Sequence, residues 1–244
     1  MTPETYRTRI YGNYVKARQQ PLAPTTLVGL SARGPYLRQM VQKHFPAEKK
    51  AAVLDLGCGH GALIYFAKQL GYTQVHGVDG SADQVAAARL LGIDGVEEGD
   101  LIQVLNAHLS ASLDVVIAFD VMEHFTRDEL LPFVDQVYRA LKPGGRLIIH
   151  TPNAASPFFG TVRYGDITHE LAFTSTSLNQ LLLSSGFSNV CCFEDAPIVH
   201  GVKSAVRWVI WQGFRGLMRL YALAETGTSD GVFSRNLLAV AFKR

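Results

Sequence analysis

The stretch from Val53 to Leu63, VLDLGCGHGAL, limits the possible folds more than any other part of the chain. Apolar strand formers run straight into Gly57, Gly59 and Gly61, and a helical spacing starts at Ala62 and stops at Gly71. An extended segment that passes through a glycine turn into a helix presents free backbone N–H groups at the helix N-terminus. Lacking Cβ atoms, the turn also lets a ligand approach the backbone. The unit repeats: QVHGVD leads into SADQVAAARLLG, with Ser81 as N-cap, and LDVVIAF leads into RDELLPFVDQVYRALKPGG, with Thr126 or Asp128 as cap. RLIIHTP then leads into TSTSLNQLLLSSGF, with Thr174 or Ser175 as cap. Strands alternating with helices predict an α/β fold, a parallel sheet covered by helices on both faces. The tail from Gly231 is rich in strand formers and predicts a last strand, for which an antiparallel course is open.

With 48% hydrophobic and 18% charged residues, a chain of 244 residues can bury a core and reads as one domain with additions. A formal charge of +2 gives no argument for nucleic acid as a partner. Cys58, Cys191 and Cys192 make neither a disulfide framework nor a spaced zinc set, which fits a reducing compartment. The opening MTPETYRTRIYGNY lacks the apolar centre of a signal peptide, and no run approaches the roughly eighteen apolar residues of a membrane span. A cytoplasmic location is therefore expected. Residues 1–50 are expected as an N-terminal helical cap, 51–244 as the sheet domain, and 197–228 as an inserted helix covering the ligand edge.

Taken alone, Gly57, Gly59 and Ala62 satisfy a dinucleotide fingerprint, yet Asp55 just ahead of them hints at another ligand. Asp79 ends the second strand, Asp100 follows the third in EEGDL, Asp120 follows the fourth in VIAFDVMEHF, and LKPGG turns into the fifth. With these ordered motifs, residues 51–193 resemble the class I S-adenosylmethionine-dependent methyltransferases. The resemblance implies a Rossmann-like seven-stranded sheet with S-adenosylmethionine across its C-terminal strand ends. Asp55 and the backbone of Gly57, Cys58 and Gly59 would then hold the methionine part. Asp79, with Gly80 beside it, would take the ribose hydroxyls, and Asp100 with Leu101 the adenine edge. Phe119 and Asp120 would line the far side. The charges agree, since this cofactor has an ammonium and a sulfonium but no pyrophosphate, so carboxylates around the loop are tolerable. Asp79 and Asp100 also read as helix caps, and Cys58 as a small buried filler.

Methyl transfer from a sulfonium is an in-line displacement, so the enzyme must align the acceptor and, for a hydroxyl, remove its proton. RYGDITHELAFTSTSL gathers Asp166, His169 and Glu170 in the connection after the fifth strand. His169 is expected as general base with Glu170 orienting it, and His124 is the next candidate. The Glu123–His124 pair resembles that of the ubiquinone-biosynthesis O-methyltransferases, which implies a possible divalent-metal set of Asp120, Glu123 and His124. A loop-fixing hydrogen bond is the competing reading, and no metal is assigned. His150 is expected to face the core, and His44, His60, His76 and His108 receive no role.

In SAVRWVIWQGFRGLMRLYALAETG, Val206, Val209, Ile210, Phe214, Leu217, Leu220 and Tyr221 share one helical face, expected to pack on the body. Arg207, Trp208, Trp211, Arg215 and Arg219 share the other, which suits a phosphate-bearing or lipid-linked acceptor, a sugar ring or, over 205–224, a membrane interface. With THELAFT and HGVKSAVRW, this tail resembles methyltransferases of bacterial surface-polysaccharide biosynthesis, which implies O-methylation of a sugar hydroxyl on a glycan or its nucleotide- or lipid-linked precursor. A small phenolic or quinone-like acceptor and a non-catalytic S-adenosylmethionine-binding regulator are the alternatives.

Overall fold

The computed structural model describes residues 9–10 and 23–244. The expectation of a cap over 1–50 therefore falls partly outside the described residues, as does most of MTPETYRTRIYGNY. The sheet consists of β1 (Val53–Leu56), β2 (Val75–Asp79), β3 (Val96–Glu98), β4 (Leu113–Phe119), β5 (Leu141–Pro152), β6 (Phe187–Glu194) and β7 (Asn236–Lys243). Their order is β3-β2-β1-β4-β5-β7-β6. The first five strands run parallel, and β7 lies antiparallel between β5 and β6, with Ile148 opposite Val240. This is the Rossmann-like methyltransferase sheet expected from the sequence, its last strand taking the antiparallel course.

Among the described residues from 23 onward, the α-helices are α1 (Gly34–His44), α2 (Ala62–Gln69), α3 (Ala82–Leu90), α4 (Leu101–Ala107), α5 (Arg127–Ala140), α6 (Phe159–Arg163), α7 (Ser175–Ser184) and α8 (Val202–Thr226). Hydroxyl side chains cap three of them. Ser81 accepts from the Gln84 N–H at the start of α3, and Thr174 accepts from the Ser177 N–H at the start of α7. At α5 the cap is Thr126, not Asp128: its hydroxyl accepts from the Glu129 N–H while the Glu129 carboxylate reaches back to the Thr126 N–H. α5 stops at Ala140, so Lys142, Pro143 and the two glycines belong to the start of β5 and not to the helix end.

Side chains alternate across the sheet with the period of two that a pleated strand imposes. Leu54 and Leu56 join Val116, Leu147, Phe133 of α5 and Leu178 of α7 in one buried layer. Val53 joins Val115, Ile117 and Ile148 against Met40 of α1 and Ile64 of α2 in the other. Asp55 shares the parity of Val53 and is equally buried, a carboxyl set among apolar neighbours at the strand's exit.

α8 does not turn its apolar face to the body as expected: the stripe from Val206 to Tyr221 is 54 to 66% exposed. Of the other face only Trp211 and Arg215 turn inward and are half-buried, while Arg207, Trp208 and Arg219 stay exposed. The cause is a polar anchor. The Glu194 carboxylate at the end of β6 accepts from the Phe233 and Ser234 N–H groups and pairs with the Arg215 guanidinium at 3.1 Å. One turn into the helix, the buried Ser204 hydroxyl donates to the Gly201 carbonyl and accepts from the His200 N–H. Together they fix the rotation, and the stripe faces away. Among the described residues no helix is long and apolar enough to cross a membrane.

Candidate active site

The glycine turn leaves β1 through Gly57 at φ +71°, a left-handed conformation in which a Cβ would come within 2.5 Å of Val121 Cγ2. Both the conformation and the close approach require glycine. The turn is pinned from β2: Asp79 Oδ2 accepts from the Gly59 N–H at 2.8 Å, and its Oδ1 accepts from the Ser81 N–H at 2.9 Å. Beyond the turn opens a cavity of about 730 Å³, a size suited to a cofactor with its acceptor. Its wall includes Asp55, Gly57, Cys58 and Gly59 from the turn, Phe119 and Asp120 from the end of β4, and Glu123, His124 and His169. Arg33 and Leu37, at and within the start of α1, contribute as well. Asp79, Gly80, Asp100, Leu101 and Glu170 stand outside this wall, and so, among the described residues, does the whole of 197–228. Asp100 caps α4 by accepting from the Gln103 N–H at 2.8 Å.

Burial, then the nearby charge of Asp79, pushes the Asp55 carboxyl up to about 8. Burial, Asp55 and Asp79 together push the Cys58 thiol upward, which keeps it protonated and unsuited to act as a nucleophile. A buried carboxyl without a cation beside it is the environment that a ligand ammonium relieves and a pyrophosphate worsens. The loop therefore fits S-adenosylmethionine and disfavours the dinucleotide that its glycine spacing alone would admit.

Behind the far side of the cavity lies a charge cluster that the sequence does not announce. Asp120 has φ +54°, and its Oδ1 lies 2.6 Å from His150 Nδ1, while His150 Nε2 lies 3.3 Å from Asp195 Oδ2. Burial alone would pull the His150 imidazole down, but Asp120 and Asp195 push it up to about 10. It is an imidazolium at neutral pH. Burial alone would raise Asp120, yet the His150 charge and hydrogen bond hold it below the ordinary carboxylate range. Tyr36 of α1 places its ring edge-on, 6.5 Å from that of His150. The expectation that His150 faces the core holds for its position but misses its charge.

Asp120 is thereby drawn away from the metal set suggested by the Glu-His pair. The groups brought together are Glu123, His124 and His169, whose ligand atoms lie within 4.8 Å of one another. The hydrogen bonds also fix the imidazole tautomers. Thr168 Oγ1 donates to Asp166 Oδ1 at 2.6 Å and so must accept from the His124 Nδ1–H at 3.0 Å. His169 Nδ1 lies 3.2 Å from the Val162 carbonyl, which can only accept. With Nδ1 as the donor, the His169 ring carries the lone pair that a general base or a metal ligand needs on Nε2. Burial, then His169, holds His124 below the usual histidine range and favours its neutral form. Glu123 is 1% exposed, accepts from the Thr151 hydroxyl at 3.2 Å, and is raised to about 8 by burial and then by Asp120. Two imidazoles and a buried carboxyl suit a divalent cation as donors. Glu170 is tied in through its backbone: its N–H donates to the Glu123 carbonyl at 2.7 Å, and its carbonyl accepts from Arg163. Of the histidines given no role, His60 lines the cavity, with Nδ1 3.3 Å from Gln84 Oε1. That contact, like Thr168, joins residues far apart in the chain and left no local signal.

Comparison with known proteins agrees with this geometry. The family described as "Methyltransferase domain" matches residues 30–192, the greater part of the chain. A ubiquinone biosynthesis O-methyltransferase of Chelativorans sp. is 30% identical over 141 residues, 53% of this chain and 54% of that protein. The chain thus spans about half the length of the curated relatives it matches. A S-adenosylmethionine-dependent methyltransferase from Archaeoglobus fulgidus superposes with a TM-score of 0.66 at 21% identity, covering 98% of this chain and 100% of the other. A phosphoethanolamine N-methyltransferase from Haemonchus contortus, solved with S-adenosylhomocysteine, gives 0.58 at 18% identity over 99% of this chain and 58% of its own. With the sheet order, the glycine turn and its carboxyls in agreement, the chain belongs to the methyltransferase-domain family.

Proposed function

We propose that the protein methylates a hydroxyl of a small phenolic or quinone-like acceptor. The observation that supports this reading is His169 on the cavity wall with its Nδ1 committed to the Val162 carbonyl, which turns its Nε2 to proton transfer beside the His124 ring. A general base works best when the group it deprotonates is not far above it in acidity, and a phenol, near 10 like tyrosine, meets that condition better than a sugar alcohol. The printed name of the Chelativorans relative supports the same class. The sugar hydroxyl expected from the sequence is the competing acceptor.

Bound S-adenosylmethionine supplies the electrophilic methyl on its sulfonium. In this reading Asp55 would face the cofactor's ammonium and the Gly57–Gly59 turn would support its methionine part, while Asp79, outside the cavity wall, pins that turn. Glu123, His124 and His169 are the residues that would hold a divalent ion, which would draw a phenolic oxygen in and acidify it. The test is transfer of labelled methyl from S-adenosylmethionine to catechol and, in parallel, to a methyl glycoside and a nucleotide-linked sugar, each with and without EDTA. Label on catechol supports the proposal. Label on a sugar alone overturns it, and loss of transfer with EDTA assigns the histidine pair to a metal.

A further inference from the structure

α8 carries a surface that the reaction does not use. Val206, Val209, Phe214, Leu217 and Leu220 follow one another along its outer side at 54 to 64% exposure. At Gly213, in the middle of this stripe, an added Cβ would meet nothing within 4 Å. The exposure is not the fraying of a loose helix, because the opposite side is fastened by Ser204 and by the Arg215–Glu194 pair.

We propose that α8 docks the protein on an anionic lipid surface, lying along the headgroups with its apolar stripe sunk between them. The charges on its borders argue for this occupant. At 100° per residue, Arg207 borders the stripe on one side and Arg219 on the other, while Lys203 lies in line with it at its N-terminal end, all three exposed. Glu225 is the only acidic residue of the helix. An apolar stripe rimmed by cations is the pattern of an interfacial helix whose long side chains reach phosphates at the membrane surface. A helix of 25 residues, about 37 Å long, is ample for lying in that plane. Pairing with a second copy is less favourable. Arg207 and Arg219 each lie about 120° round from Gly213, so a pair of copies joined through the stripe would leave them on its outer edges, whereas lipid phosphates give both a counter-charge.

The position in the fold makes the docking useful. α8 leaves the sheet at Glu194 and returns at Asn236. Leu237 of β7 lies opposite both Glu194 of β6 and Thr151 of β5, one residue from the cavity-lining Pro152. Both roots of the α8 excursion thus join the sheet at the end where the cavity opens. A protein held by α8 works beside the bilayer, a location that serves a membrane-dissolved acceptor but does not depend on the acceptor class.

The test is co-sedimentation of the full chain with vesicles of phosphatidylcholine alone and of phosphatidylcholine with phosphatidylglycerol in equal parts. Binding to the mixed vesicles that weakens with added salt is expected. Phe214→Glu with Leu217→Glu should abolish it, and Arg207→Gln with Arg219→Gln should weaken it roughly thirtyfold. Both variants should bind S-adenosylmethionine as the parent does, which shows that they are folded. Absence of binding to mixed vesicles at low salt overturns the proposal. So does a dimer, seen by analytical ultracentrifugation, that the Phe214→Glu and Leu217→Glu variant dissociates, since the occupant is then a second copy.

Discussion

Replacing Asp55 by Asn should stabilise the unliganded protein and weaken its hold on the cofactor. Asp55 is 2% exposed, and its carboxyl is raised from 3.8 to about 8. Because the folded value lies above the unfolded one, its contribution to stability is complete below pH 3.8 and is lost as pH rises through about 8. At about 1.4 kcal/mol per pH unit, the penalty reaches about 4 kcal/mol at pH 7 as a ceiling. Asparagine keeps the shape and has no such penalty. Its buried amide gives back part of the gain, so a net of about 1–3 kcal/mol is expected, a rise in Tm of roughly 5 °C for a chain of this size. Thermal unfolding followed from pH 4 to pH 9 should show the two proteins converging at the acid end and separating toward pH 8. Calorimetric titration with S-adenosylmethionine at pH 7 should show the parent releasing close to one proton, read from buffers of different ionisation heat, and the variant releasing almost none. The lost charge-assisted contact should cost about 1.5–3 kcal/mol of affinity. A variant that melts below the parent at pH 8, or that binds the cofactor as tightly, would refute the assignment of Asp55 as a strained carboxyl awaiting a cation.

His150→Asn leaves Asp120 and Asp195 without their shared cation and, because the Asp120 side chain is half-exposed, should cost about 1–2 kcal/mol in denaturant unfolding at pH 7. The His150 contribution, with a folded value of about 10, is complete below pH 6.5 and lost as pH rises through 10, so the variant should lack the decline of the parent's stability over that window; a parallel decline in both would locate it elsewhere. Gly57→Ala meets Val121 Cγ2 and a left-handed φ, so a loss of about 2 kcal/mol and of cofactor binding is expected, and unchanged titrations would contradict the turn geometry. Thr168→Val removes the acceptor of the His124 Nδ1–H and should lower kcat more than tenfold while the S-adenosylmethionine Kd stays put; a change in Kd alone would assign Thr168 to the cofactor side. Thr126→Ala should cost about 1 kcal/mol through the lost cap, measurable as a shift of the urea midpoint with activity intact.

The sheet was legible because each parallel strand carries its own local sign: an apolar run, a turn, a hydroxyl before a helix. The glycine turn and its carboxyls were legible for the same reason, since they lie within a few residues of strand ends. What escaped depends on distant partners. Nothing near His150 reveals Asp195, 45 residues on, yet that neighbour and Asp120 turn a core histidine into a fixed cation. The tautomer of His124 is likewise set by Thr168, 44 residues away. The outward turn of the apolar stripe of α8 has the same origin, because the side that meets the body is set by the Glu194 carboxylate at the end of β6 and by Ser204, not by the hydrophobic pattern.

The place of β7 also constrains the order in which the protein can assemble. β6 pairs with β7 and with no other strand of the sheet, and β7 follows it only after the whole of α8. During synthesis the parallel half can close around β1 and β4 as soon as β5 has emerged, while β6 has nothing to pair with until residues 236–243 leave the ribosome. In that interval β5 presents an unpaired edge of its own, Arg146 to Pro152, much of it apolar, to any other strand in reach. Insertion of β7 closes that edge and gives β6 its ladder in a single event, so the late step in folding is also the step that removes the chain's main opening for mispairing.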